Sequence, residues 1–457
     1  MFRKAENFLT RWVNKKHRKP LIIRGARQVG KSTLVRNFCE NQKIDLLEVN
    51  LEETKVFEFN KDSYDTDAAI RELEIICKKK LTENSILFID EIQQQPLAVN
   101  WLRYFYEKKP EMKVIAAGSL LEVRLLQEKH PFPVGRIENY YLGPMTFSEF
   151  CQAKGEELLW DAVTNSDALD EGIHRRLSTL MTEFMFVGGM PEAVKIFVES
   201  NNMDDVREAQ NSIIETYKED LLKYANTKKS NVITEVFDYA AGNIGQKVIY
   251  SKVSSEKPAI VLETINLFNQ AKVVSKIDFA SCSGVPIKST KDPSVFKLYF
   301  LDVGLYNCFL GLTWRQLISS PPEDLLTKGM MAEQFIAQHL LYFGDNTSSP
   351  ELFYWLREKK VGNSEVDFVI QSELDIIPIE VKAGKSGKMT SLWQFLLEKK
   401  KGKAIRFDLA YRSNYITSHS HSIPVPGTHK RTVVEAKLLN LPLYLVELLQ
   451  SKLEFFK

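Results

Sequence analysis

Short apolar runs alternate with helix-period stretches over the first third of the chain. "PLIIRG" (20–25) reads as a buried strand, followed by a helix from Lys31. "IDLLEVNLE" (44–52), "SILFIDEI" (85–92) and "KVIAAGSL" (113–120) read as further strands. "IRELEIICKKKL" (70–81) reads as a helix with Ile70, Leu73, Ile76 and Cys77 on one face. Strands without polar alternation suit a parallel sheet covered on both faces by helices. From about 151 to 225 the period is helical. "RRLSTLMTEFMFVGGMPEAVKIFVES" (175–200) is broken by Gly-Gly-x-Pro, and "VREAQNSIIETYKEDLLKYA" (206–225) is a long amphipathic helix. Two helices follow, "NVITEVFDYAAGNIG" (231–245) and "PAIVLETINLFNQA" (258–271), then strand-like "KVVSKIDFA" (272–280) and "VFKLYFLD" (295–302) around a loop at 281–294. Helix, helix, hairpin is winged-helix order. The last part opens with the helix "MMAEQFIAQHLLYF" (330–343). It continues with the strands "ELFYWLRE" (351–358), "EVDFVI" (365–370) and "IIPIEVKA" (376–383), then the helix "MTSLWQFLLEKK" (389–400). "SSPPEDLL" (319–326) is the expected linker. The divisions expected are 1–155, 156–228, 229–318 and 319–457.

Composition changes this picture little. A chain of 457 residues is too long for one core, which rarely grows past about 300 residues. Hydrophobic residues are 44% and charged residues 26%, as in ordinary globular proteins. Lys plus Arg is 61 and Asp plus Glu is 59, so a nucleic-acid site would have to be a local patch. No run reaches the roughly 20 apolar residues of a membrane span, and the N-terminus lacks the apolar run of a signal peptide. Five scattered cysteines without a C-x-x-C pair fit a reducing cytoplasm.

The chemistry begins at "IIRGARQVGKST". Gly25-x-x-x-x-Gly30-Lys31-Ser32 stands between a strand and a helix start, the setting a phosphate loop requires. Its backbone from Gly25 through Ala26, Arg27, Gln28, Val29 and Gly30 to Thr33 can wrap phosphate oxygens. Lys31 supplies a charge for the β and γ phosphates, and the Ser32 hydroxyl a ligand for Mg²⁺. Asp90 and Glu91 close a buried strand. One reaches the metal and the other polarises the attacking water. Ser119, after the next strand, is either a γ-phosphate sensor or a turn residue. Arg136 is either an arginine finger, from a neighbouring subunit or after closure, or a solvated loop residue.

Residues 1 to about 200 resemble the AAA-type ATPases of the bacterial and archaeal group related to STAND and Orc-type ATPases. "GARQVGKST", "LFIDEIQ", "GSLL" and "VGRIENYYLGPMTFSEF" carry the resemblance, in that order. It implies ATP and Mg²⁺ as cofactors, Lys31, Ser32 and Asp90 as phosphate and metal ligands, and Glu91 as the catalytic carboxylate. It further implies Ser119 at the sensor position (where many relatives have Asn), Arg136 at the "GR", and Pro191 of "GGMPEA" against adenine. "MTFSEF" belongs to the resemblance without a chemical role.

In "EVDFVIQSELDIIPIEVKAG" (365–384), Asp367, Glu380 and Lys382 are charges that two apolar strands do not need for packing. Paired as a hairpin, these strands set Asp367 beside Glu380. Two carboxylates can hold Mg²⁺, with Lys382 steadying negative charge, as metal-assisted phosphodiester hydrolysis requires. Glu333 on the preceding helix can add a third carboxylate. A solvated charged face is the bland alternative. The order helix-Glu, strand-Asp, strand-Glu-x-Lys resembles the PD-(D/E)xK nuclease core, although Val366 stands where that motif usually has proline. With the ATPase motifs it resembles ATPases carrying a C-terminal nuclease-like domain of unknown function.

The fold expected is therefore α/β: a P-loop parallel-sheet domain, a helical lid with a winged helix, and an α/β restriction-endonuclease-like domain. ATP or ADP, DNA or RNA, and further copies of the chain are the candidate partners, with no membrane. A nucleotide-dependent switch or scaffold that cuts nothing is the rival reading. His419 and His421 in "SHSHS" are a metal pair or a polar surface loop. The basic runs "KKHRK" (15–19) and "EKKKGK" (398–403) meet phosphates or are solvated faces. The helix from Pro258 to Ala271, carrying Glu263, reads DNA or packs in the lid.

Overall fold

The computed structural model describes residues 1–57, 64–119, 121, 135–164, 170–223, 227–319, 327–342, 344–357, 364–383, 389–424, 431–454 and 456. These form two compact units. One comprises Met1–Met145, Asn266–Val273 and Gly344–Pro350, and the other Thr146–Ile265, Val274–Phe343 and Glu351–Lys457. The expected linker at 319–326 lies, apart from Ser319, outside the described residues.

The first unit contains α1 (Ala5–Val13), β1 (Leu21–Arg24), α2 (Lys31–Gln42), β2 (Asp45–Asn50) and α3 (Thr66–Cys77). It continues with β3 (Ser85–Asp90), α4 (Pro96–Lys108), β4 (Lys113–Gly118) and β5 (Glu138–Tyr141). The strand order is β2-β3-β4-β1-β5, and every neighbouring pair is parallel. Leu87 and Ile89 of β3 enter a core with Leu73, Trp101 and Phe105, while Ile86 and Phe88 are buried as well. Both faces of the strand are therefore covered, as its unbroken apolar run requires. The chain order reverses beside β1, between β4 and β5. In such sheets ligands bind at the carboxyl ends of the strands flanking that point, and the phosphate loop leaves β1 there. The short β5 is an addition to the predicted strands.

The second unit begins with helices α5 (Phe147–Ala153), α6 (Glu157–Thr164), α7 (Glu171–Val187), α8 (Pro191–Ser200), α9 (Met203–Leu222), α10 (Thr227–Gly242) and α11 (Tyr250–Val253). After α12 (Pro258–Gln270), whose residues from Asn266 on belong to the first unit, come β6 (Val274–Ala280), β7 (Lys291–Phe300), α13 (Val303–Phe309), α14 (Trp314–Ser319) and α15 (Thr327–Leu341). The remainder is β8 (Phe353–Arg357), β9 (Ser364–Ser372), β10 (Asp375–Val381), α16 (Thr390–Lys399), β11 (Lys403–Asp408), β12 (Ile416–Pro424), β13 (Arg431–Pro442) and α17 (Leu449–Glu454). One mixed sheet runs β12-β13-β11-β10-β9-β8-β6-β7. The helix-helix-hairpin order is present, but its hairpin, β6–β7, is built into this larger sheet through a parallel pairing of β6 with β8. "SHSHS" is not a loop. It lies on β12, an edge strand whose exposed side chains conceal the pattern, paired antiparallel with β13. There His421 stacks on Trp393 at 5.5 Å.

Buried polar side chains fasten this unit. "MTFSEF" has a structural role here. Thr146 and Glu149 form a capping box, the Phe147 N–H donates to His339 Nε2 at 2.9 Å, and Ser148 donates its N–H and hydroxyl to Glu447 at 2.8 and 2.7 Å. Since His339 Nε2 accepts, Nδ1 carries the proton and donates to the Phe335 carbonyl at 2.8 Å. Asp302, with no exposed surface, accepts from Gly189 N at 2.6 Å, Leu305 N at 3.0 Å and Gln338 Nε2 at 3.2 Å. Gly188 adopts φ 75° beside it, and a Cβ there would stand 2.0 Å from Asp302 Oδ1. Asp302→Ala strands all three donors. It is expected to cost on the order of 3 kcal/mol, read as a lowered denaturation midpoint. An unchanged midpoint would contradict this role.

Candidate functional sites

The phosphate loop is shaped by backbone that only certain residues tolerate. Gly25 has φ 153°, and a Cβ there would lie 2.2 Å from the Leu142 carbonyl oxygen. Gly30 has φ 89° and precedes α2. Lys31 is 6% exposed, and its ammonium donates to the Ala26 and Gly25 carbonyls at 2.8 and 3.3 Å. Arg3 braces the loop from behind, donating to Val29 O at 2.9 Å and Gly143 O at 2.8 Å. No local signal marks Arg3, because its partners are remote in the chain.

Asp90 ends β3 and is buried. Burial raises its pKa, with the charges of Glu91 and Glu48 adding to the rise, against a hydrogen bond from Ser32. A divalent cation would reverse that penalty, and a carboxylate beside a hydroxyl suits Mg²⁺. Glu91 adopts φ 50°, a rare conformation for a non-glycine residue, and its carboxylate accepts from Gln93 Nε2. Gln93 Oε1 is buried without a partner. A Cβ on Gly118 would meet that atom at 2.6 Å, so Gln93 bridges Glu91 to the end of β4, where Ser119 is buried. Arg136 lies on the surface, with Nε 2.9 Å from Glu107 Oε1 on α4. Pro191 opens α8 in the second unit, after the Gly188-Gly189 turn held by Asp302.

The second cluster belongs to the β9–β10 hairpin, which forms as expected with Phe368 opposite Ile379. That register sets Asp367 against Glu380. A solvated face is ruled out, since Glu380 is 5% exposed in a strand whose neighbours are buried too. Asp367 Oδ2 accepts from Val381 N at 2.7 Å. Lys382 Nζ lies 2.5 Å from Glu380 Oε1, while Glu380 Oε2 has no partner among the described residues. From α15, Glu333 accepts from Tyr299 OH at 3.1 Å. Gly245 closes over it, where a Cβ would stand 2.5 Å from Glu333 Oε2.

Two members escaped the sequence reading. Lys297 and Tyr299 of β7 face this cluster, and Lys297 has no exposed surface. Its ammonium pairs with Glu365 and lies 4.8 Å from the Tyr354 ring centroid. The available signal was polar side chains at i and i+2 among Phe296, Leu298 and Phe300. Burial works against the Lys297 charge, but Glu365, Glu333 and Asp367 outweigh it and its pKa is raised. Burial first, then the charge of Asp367, pushes Glu333 up to about 8 and Glu380 up to about 7. Asp367 is raised by burial. Oxygen donors with an orphaned carboxylate oxygen fit a hard divalent cation in their chemistry. Among the described residues, however, no group of three His, Cys, Asp or Glu side chains is gathered to hold one.

With this geometry in place, comparisons bear on it. Residues 17–151 match the family model of an AAA domain, 178–316 a domain of unknown function (DUF8612), and 328–426 another (DUF4143). The N-terminal part is thus an AAA-type P-loop domain. No curated protein matches the chain. Solved structures similar to it include a Walker-type ATPase of Pyrococcus abyssi, with 13% identity, 67% of this chain and 95% of the other covered, and a TM-score of 0.42. Another is the Aeropyrum pernix ORC2 protein in ADPNP–ADP complexes, with 12% identity, 69% and 91% covered, and a TM-score of 0.35. No helix among the described residues is long and apolar enough to cross a membrane.

Glu333 keeps its proton in the folded state to about pH 8, against an ordinary value of 4.5. Between those limits the unfolded chain binds fewer protons, so this group's contribution to stability is lost as pH rises. Without divalent cations, the melting temperature of the wild type minus that of Glu333→Gln is expected to fall across this window. A flat difference would contradict the burial of this carboxyl.

Proposed function

We propose that the chain is a Mg²⁺-dependent ATPase whose P-loop unit is coupled to a nuclease-like unit that engages nucleic acid. The observation that carries the ATPase half is Lys31, buried against loop carbonyls, next to the Ser32–Asp90 contact. When ATP enters, the loop amides take the phosphate oxygens, and Lys31 exchanges its carbonyl partners for the β and γ phosphates. Ser32 and Asp90 would hold Mg²⁺, which neutralises charge on the phosphates. Glu91, once Gln93 releases it, orients the attacking water. Arg136, exposed and paired with Glu107 at the surface, is available to a neighbouring copy. Ser119 keeps its expected sensor role within this proposal.

In the second unit, Asp367 and Glu380, with Glu333 nearby, would hold a divalent cation against a phosphodiester, and Lys382 would steady the negative charge. Coupling of this site to ATP turnover is part of the proposal. A second reading, a nucleotide-dependent switch that binds without cutting, is favoured by one observation. Lys382 already pairs with Glu380 at 2.5 Å, and among the described residues no group of three metal-ligating side chains is gathered there.

Steady-state ATPase assays test the first half. Lys31→Ala is expected to lower turnover about a hundredfold or more. Glu91→Gln is expected to lower it comparably while nucleotide binding is retained. Wild-type turnover in both would contradict the assignment. In the same preparations, Mn²⁺-dependent cleavage of linear, branched or single-stranded DNA that disappears in Lys382→Ala supports the nuclease. Intact DNA throughout selects the switch.

A further inference from the structure

A cavity of 410 Å³ opens in the second unit where β7, β8 and α16 meet. Among the described residues, its charged lining is three cations, Lys247, Arg357 and Lys399, against one carboxylate, Glu398. Phe279 and Trp355 supply aromatic wall. Arg357 is 6% exposed, with Nε 2.9 Å from Glu398 Oε1. Lys399 Nζ lies 5.9 Å from the Trp355 ring centroid. Lys399 also belongs to the basic run at 398–403, which neither proposed catalytic site uses.

The cavity borders the carboxylate cluster. Lys247 bridges through its backbone to Lys297, the buried cation of that cluster. Leu356, also in the wall, is the register partner of Glu365, to which Lys297 is paired. An excess of positive charge along a groove is the arrangement that tracks a nucleic-acid backbone without reading its sequence.

Resting on the proposed function, we infer that this cavity is the entry cleft for a single nucleic-acid strand, with Lys247 and Lys399 contacting its phosphates. The full chain, titrated into fluorescein-labelled oligothymidylate at several salt concentrations, tests this by anisotropy. The double variant Lys247→Ala/Lys399→Ala is expected to bind about tenfold more weakly. Its log–log salt slope is expected to be shallower by about 1.4, the loss of two phosphate contacts on a single strand. Its melting temperature should match the wild type. Lys437→Ala, at an exposed lysine of β13, should bind as the wild type does. Unchanged affinity and slope in the double variant would overturn the cleft while leaving the proposed function standing. So would a wild type that binds duplex but not the single strand. A wild type that binds no nucleic acid would instead overturn the proposed function and the cleft with it.

Discussion

A lysine ammonium without exposed surface constrains the second unit more than any other group. Withdrawing such a charge from water costs several kcal/mol unless partners surround it. For Lys297 they come from Glu365 and Asp367 on β9 and Glu333 on α15. Burial raises the carboxyls of Asp367 and Glu333 in turn, and the charge of Lys297 works against that rise. The helix that brings Glu333 is fixed to the strand that brings Lys297. Gln334 bonds both backbone groups of Phe300, at 2.9 and 2.7 Å, and Gln338 accepts from Val303 N at 2.9 Å. Sliding α15 along β7 would leave these buried amides unpaired, at about 1–3 kcal/mol each. Positions of charge are thus set by neutral hydrogen bonds beside them.

The P-loop unit uses the same economy on a smaller scale. Lys31 is buried, and its ammonium rests on carbonyls of its own loop. Arg3 ties that loop to the segment following β5. Partners supplied by the loop keep the cation in place without a ligand, and a phosphate can replace them with little rearrangement. Glu380 presents the complementary case. One of its oxygens is satisfied by Lys382 and the other is left over, a buried acceptor whose desolvation only a further donor or a cation would offset.

What the sequence made legible was local. The phosphate loop, Asp90-Glu91 and the β9–β10 hairpin each lie within a short span, where period and spacing suffice. The structure also supplied what the bland alternative could not, the burial of Glu380. What stayed hidden depended on partners far along the chain. Lys297 reads as one lysine in an apolar strand until Glu365 is placed beside it, and Arg3 as one of many N-terminal charges. Ser148 in "MTFSEF" has no meaning without Glu447, 299 residues further along the chain. The strand β12 was missed for a different reason. At an edge with both faces largely exposed, its alternation carries no hydrophobic signal, and only pairing with β13 makes it a strand.

The central claim is that the charges gathered around Asp367 and Glu380 form a cation site rather than a structural ion-pair network. Crystals of the nucleotide-free protein grown with Mn²⁺ and measured at the manganese absorption edge test it most directly. The account predicts an anomalous peak within ligand distance of Asp367 and Glu380, with Lys382 moved off the carboxylate. No peak there at saturating Mn²⁺, with the Lys382–Glu380 pair intact, would contradict it.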